Sequence, residues 1–521
     1  MSQTRLSLTA FAIVLGLAVP PVHAESNSLH LPSIFGDHMV LQRNSVVPVW
    51  GKAAPGSEIK VSIASQTVNG TTDKHGLWKV QLAKLAAGGP HRLKVESSGG
   101  DAITFQDVLV GEVWLCSGQS NMAMSVNRVN NAKQEIASAK FPEIRLISVR
   151  RIATDVPQGD FTGSWSQCSP RTVAGFSAVG YFFGRRIHQD LDVPIGLINS
   201  SVGGTPAESW TSRPALKAQA TLKPLLDRWE KSAAAYDPEQ AKARFETQLA
   251  KWKVAAAKAK ADGKRPRRRP RLAPPPKLST HYPGMLFNGK IAPLIPFAMR
   301  GAIWYQGESN AGRAFQYRTV FPTMIRDWRK RWSNDFPFIF VQLANFKAVQ
   351  EKPGDSSWAE LREAQSMTLR KLSNTGQAVI TDIGEARDIH PKNKQDVGNR
   401  LALWALANTY EKDVEFSGPA LASIELVPGK IEVRFNHANG LSAKGGVLKG
   451  FAIAGEDRKF VWADAKIVDG VVHLSHKNVA NPIAVRYAWA DNPVATLYNS
   501  AGLPASPFRT DEWPGITEKA F

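Results

Sequence analysis

The chain holds 521 residues, of which 43% are hydrophobic and 21% charged, a composition that describes a globular protein and excludes a disordered one. That length exceeds one ordinary core, so two or three domains are expected. A formal charge of +20 raises nucleic acid as a partner. However, residues 221–280 alone carry 16 Lys and Arg against 6 Asp and Glu, about half of the excess, and no groove-reading motif accompanies them.

The first residues read as an export signal: Arg5 as the positive start, Leu8 to Val19 as the apolar run, and Val22-His23-Ala24 as a small-x-small cleavage site. The apolar run is about a dozen residues, short of the ~20 that span a bilayer, and no later segment is long enough. Residues 1–24 are therefore expected to be removed, leaving an exported protein with no membrane span, periplasmic or extracellular. Two cysteines, Cys116 and Cys168, exclude a disulfide scaffold; whether they pair stays open.

From 25 to 110 short strands alternate apolar and polar residues between Gly, Pro and Asn turns, as in residues 46–51, 58–63 and 91–95. That pattern predicts a β-sandwich. From 111 to 412 the order changes to strands alternating with helices. Strand candidates are Val113–Cys116, Ile195–Asn199, Gly301–Tyr305, Phe338–Leu343 and Ala378–Asp382, with helices over Gly175–Asp190, Trp358–Leu372 and Asn393–Asn408. Such alternation implies a doubly wound parallel sheet, an α/β fold. Residues 222–277 interrupt it with a helical hairpin and a Pro-broken basic run, Lys264 to Arg271, read as a solvated linker or a tether to an anionic polysaccharide or surface. From 413 to 521 strands return, giving a C-terminal β-rich region.

Val113-Trp114-Leu115-Cys116-Ser117-Gly118-Gln119-Ser120 places a hydroxyl at the C-terminal end of a strand, where open α/β sheets put their chemistry. Met122 stands where G-x-S-x-G has its second glycine, so this is not the α/β-hydrolase elbow. A serine hydroxyl needs a base, a group that orients the base, and donors for the oxyanion. His390 follows a predicted strand, and Asp388 or Glu385 lies close enough in sequence to orient it. Two further strand-to-turn segments supply donors: Ser201-Val202-Gly203-Gly204-Thr205 with its paired glycines, and Tyr305-Gln306-Gly307-Glu308-Ser309-Asn310 with two side-chain amides. The histidines are scattered without metal-ligand spacing, so neither a metal nor another cofactor is expected.

At these residues the chain resembles the sialate O-acetylesterase family of SGNH hydrolases. The matching stretches are Gly118 to Met122, Gly203 to Ser212, Trp304 to Asn310 and Asp388 to Pro391, with Phe35 to Arg43 and Leu503 to Asp511 outside the site. The resemblance implies a flavodoxin-like sheet and a metal-free serine esterase acting on O-acetylated carbohydrate, O-acetylated sialic acids first. It carries Ser120 over as nucleophile, His390 as base and Asp388 as its partner. The oxyanion donors would be the backbone N–H groups of Ser120 and Gly204 and a side-chain amide, Gln306 first and Asn310 second. The wider SGNH spacing is D-x-x-H, whereas here it is D-x-H, and Asp388 is where the chain departs from the pattern. Acetylated xylan or another polysaccharide is the alternative substrate. A carbohydrate-binding protein with a dead site is the alternative outside catalysis.

Overall fold

The structure is a computed structural model that describes residues 28–150 and 153–520; the expected export signal lies outside them. The N-terminal strands are β1 (Val40–Gln42), β2 (Val47–Lys52), β3 (Glu58–Ile63), β4 (Gln66–Thr71), β5 (Leu77–Leu82), β6 (Gly88–Ser97) and β7 (Ala102–Gly118). Strand β4 pairs with β3, β3 with β6 and β6 with β7, all antiparallel, while β2 and β5 form a separate pair. Alternation sorts their side chains. Val47 and Val49 of β2, Val80 and Leu82 of β5, Ile59 and Val61 of β3 and Val95 of β6 all join one apolar cluster.

Strand β7 runs for 17 residues through the position where the sequence pattern changes. Its first half pairs with β6, and its second half, from Glu112, pairs with strands of the α/β sheet. Up to Asp107 its side chains alternate in exposure, and from Val108 every one is buried. The sequence reading starts its strand only at Val113 because a strand buried on both faces loses the alternation.

The later strands are β8 (Phe141–Ser148), β9 (Ser166–Cys168), β10 (Ile195–Ser201), β11 (Gly301–Tyr305), β12 (Phe338–Val341) and β13 (Thr375–Ala378). The sheet order is β13-β12-β11-β7-β10-β8-β9, parallel except at the β8–β9 edge. This corrects the flavodoxin-like expectation, in which the first strand lies between the second and third. Here the chain leaves β7 for β8 two places away and returns with β10 to fill the gap, so β7 lies between the third and fourth parallel strands. The sheet still reverses its direction of growth at β7, and the crevice above such a reversal is where open α/β sheets bind ligands. Thr375–Ala378 also replaces the expected strand over Ala378–Asp382, since Gly376 and Gln377 are weak strand formers and hide it. The β8–β9 pair was not anticipated.

The main helices are α1 (Ala178–Leu191), α2 (Lys223–Ala234), α3 (Pro238–Ala261), α4 (Ala314–Trp332), α5 (Ser357–Lys371) and α6 (Lys394–Asn408). Helix α1 begins where Ser177 Oγ accepts the Gly180 N–H at 3.1 Å. Val179, Phe183 and Ile187 of α1 and Val397 and Leu401 of α6 cover one face of the sheet with Trp114 and Ile303. Tyr317, Phe321 and Trp328 of α4 and Leu361 of α5 cover the other face with Leu115 and Trp304. Successive residues of β7 and β11 thus feed opposite layers, which makes the sheet doubly wound.

The hairpin expected over residues 222–277 is present as α2 and α3, with unequal attachment. Leu222 and Leu225 are fully buried, whereas α3 buries only Ala256. The C-terminal region packs two four-stranded antiparallel sheets around Ile431, Val433, Phe451, Ile453, Leu474, Val485 and Tyr487. Buried Arg362 of α5 ties that region to the α/β sheet, donating to Ala490 O at 2.6 Å and Asp491 O at 3.0 Å as well as to Leu343 O and Ala344 O. No helix among the described residues is long and apolar enough to cross a membrane. Cys116 and Cys168 are both free and buried, and burial pushes both thiols well above their ordinary range.

Candidate active site

Ser120 opens a single helical turn, Ser120–Ala123, directly beyond the end of β7. Gly118 makes that turn possible: it has φ 136°, and a Cβ there would sit 2.2 Å from Tyr305 O. Gln119 N–H donates to Tyr305 O at 2.9 Å and Val202 N–H to Gly118 O at 3.0 Å. The serine turn is therefore pinned to the ends of both neighbouring strands, β11 and β10.

His390 Nε2 stands 2.8 Å from Ser120 Oγ. Asp388 Oδ1 lies 3.4 Å from His390 Nδ1 and accepts the His390 backbone N–H at 2.9 Å. The first of these distances is longer than a settled hydrogen bond, as catalytic contacts without substrate often are. Glu385, the other carboxylate within sequence reach, accepts the Lys392 N–H at 3.2 Å and makes no contact with the imidazole. Partial burial lowers the His390 pKa below its ordinary value, with Asp388 pulling the other way and Lys394 reinforcing burial. Burial thus disfavours the protonated form of the imidazole.

Ser120, Gly204, Gln306 and Asn310 are the expected oxyanion donors, and the fold brings their segments together. Gly203 is so close that a Cβ on it would lie 3.3 Å from Ser120 Cβ. Gly204 has φ +75°, and its carbonyl accepts from the exposed His281 Nε2 at 2.6 Å. Among the described residues the N–H groups of Ser120 and Gly204 have no acceptor.

The two amides differ in their partners. Gln306 is fully buried, and its Nε2 donates to Thr205 O at 3.2 Å and to Asn310 Oδ1 at 2.7 Å, while its Oε1 accepts from Tyr317. Both of its amide hydrogens are committed, one of them to Asn310, which favours Asn310 over Gln306 as a donor to the ester. Asn310 Oδ1 also accepts the Ala207 N–H at 2.9 Å, and its Nδ2 donates to Glu208 Oε2 at 2.9 Å, which leaves one Nδ2 hydrogen uncommitted.

Behind the serine lies a polar cluster that sequence reasoning missed. Fully buried Lys394 donates from Nζ to Asn121 Oδ1 at 2.6 Å. Asn121 Nδ2 in turn donates to Glu308 Oε1 at 2.6 Å and to Ile389 O at 3.0 Å. One amide therefore joins the residue after Ser120 to the residue before His390. Burial brings the Lys394 pKa down to about 7 and raises that of Glu308. Asn121 and Glu308 lie inside the quoted motifs and Lys394 four residues after His390, so proximity to the motifs was the available signal. Among the described residues no three His, Cys, Asp or Glu side chains gather as a metal site.

A family profile described as carbohydrate esterase, sialic acid-specific acetylesterase, matches residues 110–245 and 276–406. The sialate O-acetylesterase of Mus musculus is 30% identical over 547 residues, covering 96% of this chain and 97% of its own length. That of Homo sapiens is 30% identical, covering 98% and 99%. A crystal structure of a carbohydrate acetylesterase from Xanthomonas citri superposes with a TM-score of 0.79 at 38% identity, covering 93% of this chain and all of its own. The gap in the profile, residues 246–275, falls on most of α3 and the basic run, the part of the insert that packs least. By these matches the chain belongs to the sialic acid-specific acetylesterase family of carbohydrate esterases and is a carboxylic ester hydrolase.

Proposed function

We propose that the protein removes acetyl groups from sugar hydroxyls, with O-acetylated sialic acids as its first substrates, through an acyl-enzyme on Ser120. The 2.8 Å contact between Ser120 Oγ and His390 Nε2 carries this reading, because it gives an otherwise weak nucleophile its base. Ser120 Oγ attacks the acetyl carbonyl as its proton passes to His390. The oxyanion takes hydrogen bonds from the Ser120 and Gly204 N–H groups and Asn310 Nδ2, and Asp388 steadies the imidazolium. On collapse the sugar alkoxide leaves with the proton from His390. Water, deprotonated by the same imidazole, then attacks the acetyl-serine, releasing acetate and restoring Ser120.

Export after Ala24 and contact of the basic run with an acidic surface belong to the same proposal. The family match and the O-acetylesterase relatives support the substrate class. A fluorophosphonate probe tests the nucleophile directly, and labelling of Ser120 is the expected result. Acetate release from O-acetylated sialic acids, acetylated xylan and an aryl acetate then ranks the substrates. Turnover of the aryl ester without labelling of Ser120 would refute the mechanism.

A further inference from the structure

The loop between β13 and α6, residues 379–393, carries both Asp388 and His390. Where a loop holds the base, the height of that base over the nucleophile depends on what the loop is fastened to. Two of its outside anchors come from one short segment that follows β12. Asn345 Oδ1 accepts the Gly384 N–H at 2.6 Å, and the Lys347 N–H donates to Ala386 O at 3.1 Å. A Cβ on Gly384 would lie 1.9 Å from Asn345 O, so the two backbones meet there without room for a side chain.

That segment is in turn held by the C-terminal β-rich region. Asn345 Nδ2 donates to Asn492 Oδ1 at 2.7 Å, and Asn492 Nδ2 donates to Lys347 O at 2.6 Å. The Phe346 N–H donates to Asp491 O at 3.1 Å, and Lys347 Nζ to Asp491 Oδ2 at 2.6 Å. Further along, Trp462 Nε1 donates to Glu351 O at 2.8 Å. Lys347 has φ +74°, a left-handed conformation that costs free energy for a residue with a side chain and persists only where the surroundings over-determine it. Here its N–H goes to the His390 loop, while its carbonyl and its ammonium go to the C-terminal region.

We infer that Asn345, Lys347 and Asn492 are positioning residues, a strap through which the C-terminal β-rich region sets His390 at hydrogen-bond distance from Ser120. This rests on the esterase reading of Ser120. The strap acts through Gly384 and Ala386, six and four residues before His390. A misplacement of ~1 Å that begins far from the chemistry can cost ~10²-fold in rate, so a link of this kind matters to turnover without touching the ester. The region appended after the α/β sheet thereby becomes part of the catalytic unit.

The test uses the full chain and follows two quantities, the rate and the final extent of Ser120 labelling by a fluorophosphonate probe, beside kcat and KM on an aryl acetate. Asn345→Ala and Asn492→Ala are each expected to label completely but roughly tenfold or more slowly, with kcat falling in parallel and KM within about twofold of native. The double variant is expected to be little slower than either, because the two amides form one link. The Lys347 side chain is 51% exposed, so substitutions there spare the core. Lys347→Ala must hold the left-handed φ unaided and is expected to slow labelling about threefold, whereas Lys347→Gly, which adopts that φ freely, is expected to recover most of the loss. A lower extent of labelling at the native rate would mean that these residues only keep the chain folded, and would overturn the strap. So would native rates in all of these variants. Absence of both labelling and turnover in the native protein would instead sink the esterase reading, and the strap with it.

Discussion

Gln306 Nε2 donates to Asn310 Oδ1 at 2.7 Å, and under the proposed mechanism that contact favours Asn310 over its neighbour as the amide that meets the ester. The Gln306 bond to Asn310 Oδ1, with the Ala207 N–H on the same oxygen, fixes the Asn310 amide with its nitrogen on the far side. Asn310→Ala is expected to lower kcat by roughly 10²–10³, the range for removing one oxyanion donor, with KM little changed. Gln306→Ala acts through Asn310 and leaves Tyr317 and Thr205 without their partner, so it is expected to cost ~1–3 kcal/mol of stability as well. Thermal unfolding beside steady-state kinetics separates the two. A stable, slow Gln306→Ala with a fast Asn310→Ala would reverse the assignment.

In the proposed mechanism Ser120 and His390, 2.8 Å apart, form one proton-transfer unit. Ser120→Ala and His390→Ala are each expected to reduce acetate release by several orders of magnitude, and the double variant little further, as members of such a unit are strongly non-additive. Multiplying losses in the double variant would show that the two side chains act separately.

The charges around His390 predict shifts of opposite sign in the acid limb of kcat/KM. The base works unprotonated, and its pKa lies below the ordinary 6.5, so activity is expected to rise with pH through a midpoint under that value. Asp388 raises the His390 pKa, and Lys394 and Arg128 lower it. Asp388→Asn is therefore expected to move the limb to lower pH while reducing kcat. Lys394→Met is expected to move it to higher pH. For Asp388, 3.4 Å from the ring and with its side chain 45% exposed, the loss in kcat is expected to fall well short of the ~10⁴ known for a fully buried triad aspartate. A pH profile for each variant checks both signs, and shifts in the same direction would mean that the charges do not act on His390 through space.

The meeting of the proposed site's segments was legible because small residues and carboxamides gather at the strand ends. Gly118, Gly203 and Gly204 are required by turn geometry, and Ser120 and His390 meet as their types suggest. What was not legible depends on distance across the fold. Nothing local distinguishes Gln306 from Asn310, because the difference lies in Thr205 and Tyr317, which occupy the first amide from other segments. Glu208 reads as one more acid in a motif until Arg228 and Arg313 reach it from other segments. The sheet order escaped for the same reason: strand-like runs show which segments pair, and only packing shows that β10 returns between β7 and β8. Alternation failed along β7 where both faces became buried.

The segment 222–277 is where sequence and structure disagree most, and deletion tests the difference. Composition reads all of it as a helical hairpin and a solvated linker or tether. In the structure its two helices have different attachments. Helix α2 buries Leu225, follows the buried Leu222, places Arg228 against Glu208, and offers Glu230 Oε1 to the Tyr282 hydroxyl at 2.7 Å. Tyr282 is next to His281, whose ring meets the Gly204 carbonyl. Helix α3 and the basic run bury almost nothing, and a side-chain bond between them, Trp252 Nε1 to Arg267 O at 2.7 Å, lies inside the segment. Replacing residues 238–276 with a short Gly/Ser linker is therefore expected to leave kcat on a small aryl acetate within about twofold, since surface insertions are generally tolerated. Removing 222–277 is expected to reduce both the melting temperature and turnover on the same ester. The shorter deletion also removes the Lys264–Arg271 run, and any attraction to a polyanionic substrate is expected to weaken with it and to vanish in the native protein at high salt, where the screening length falls to ~3 Å. Equal behaviour of the two deletions on the aryl ester would return α2 to the status of a linker.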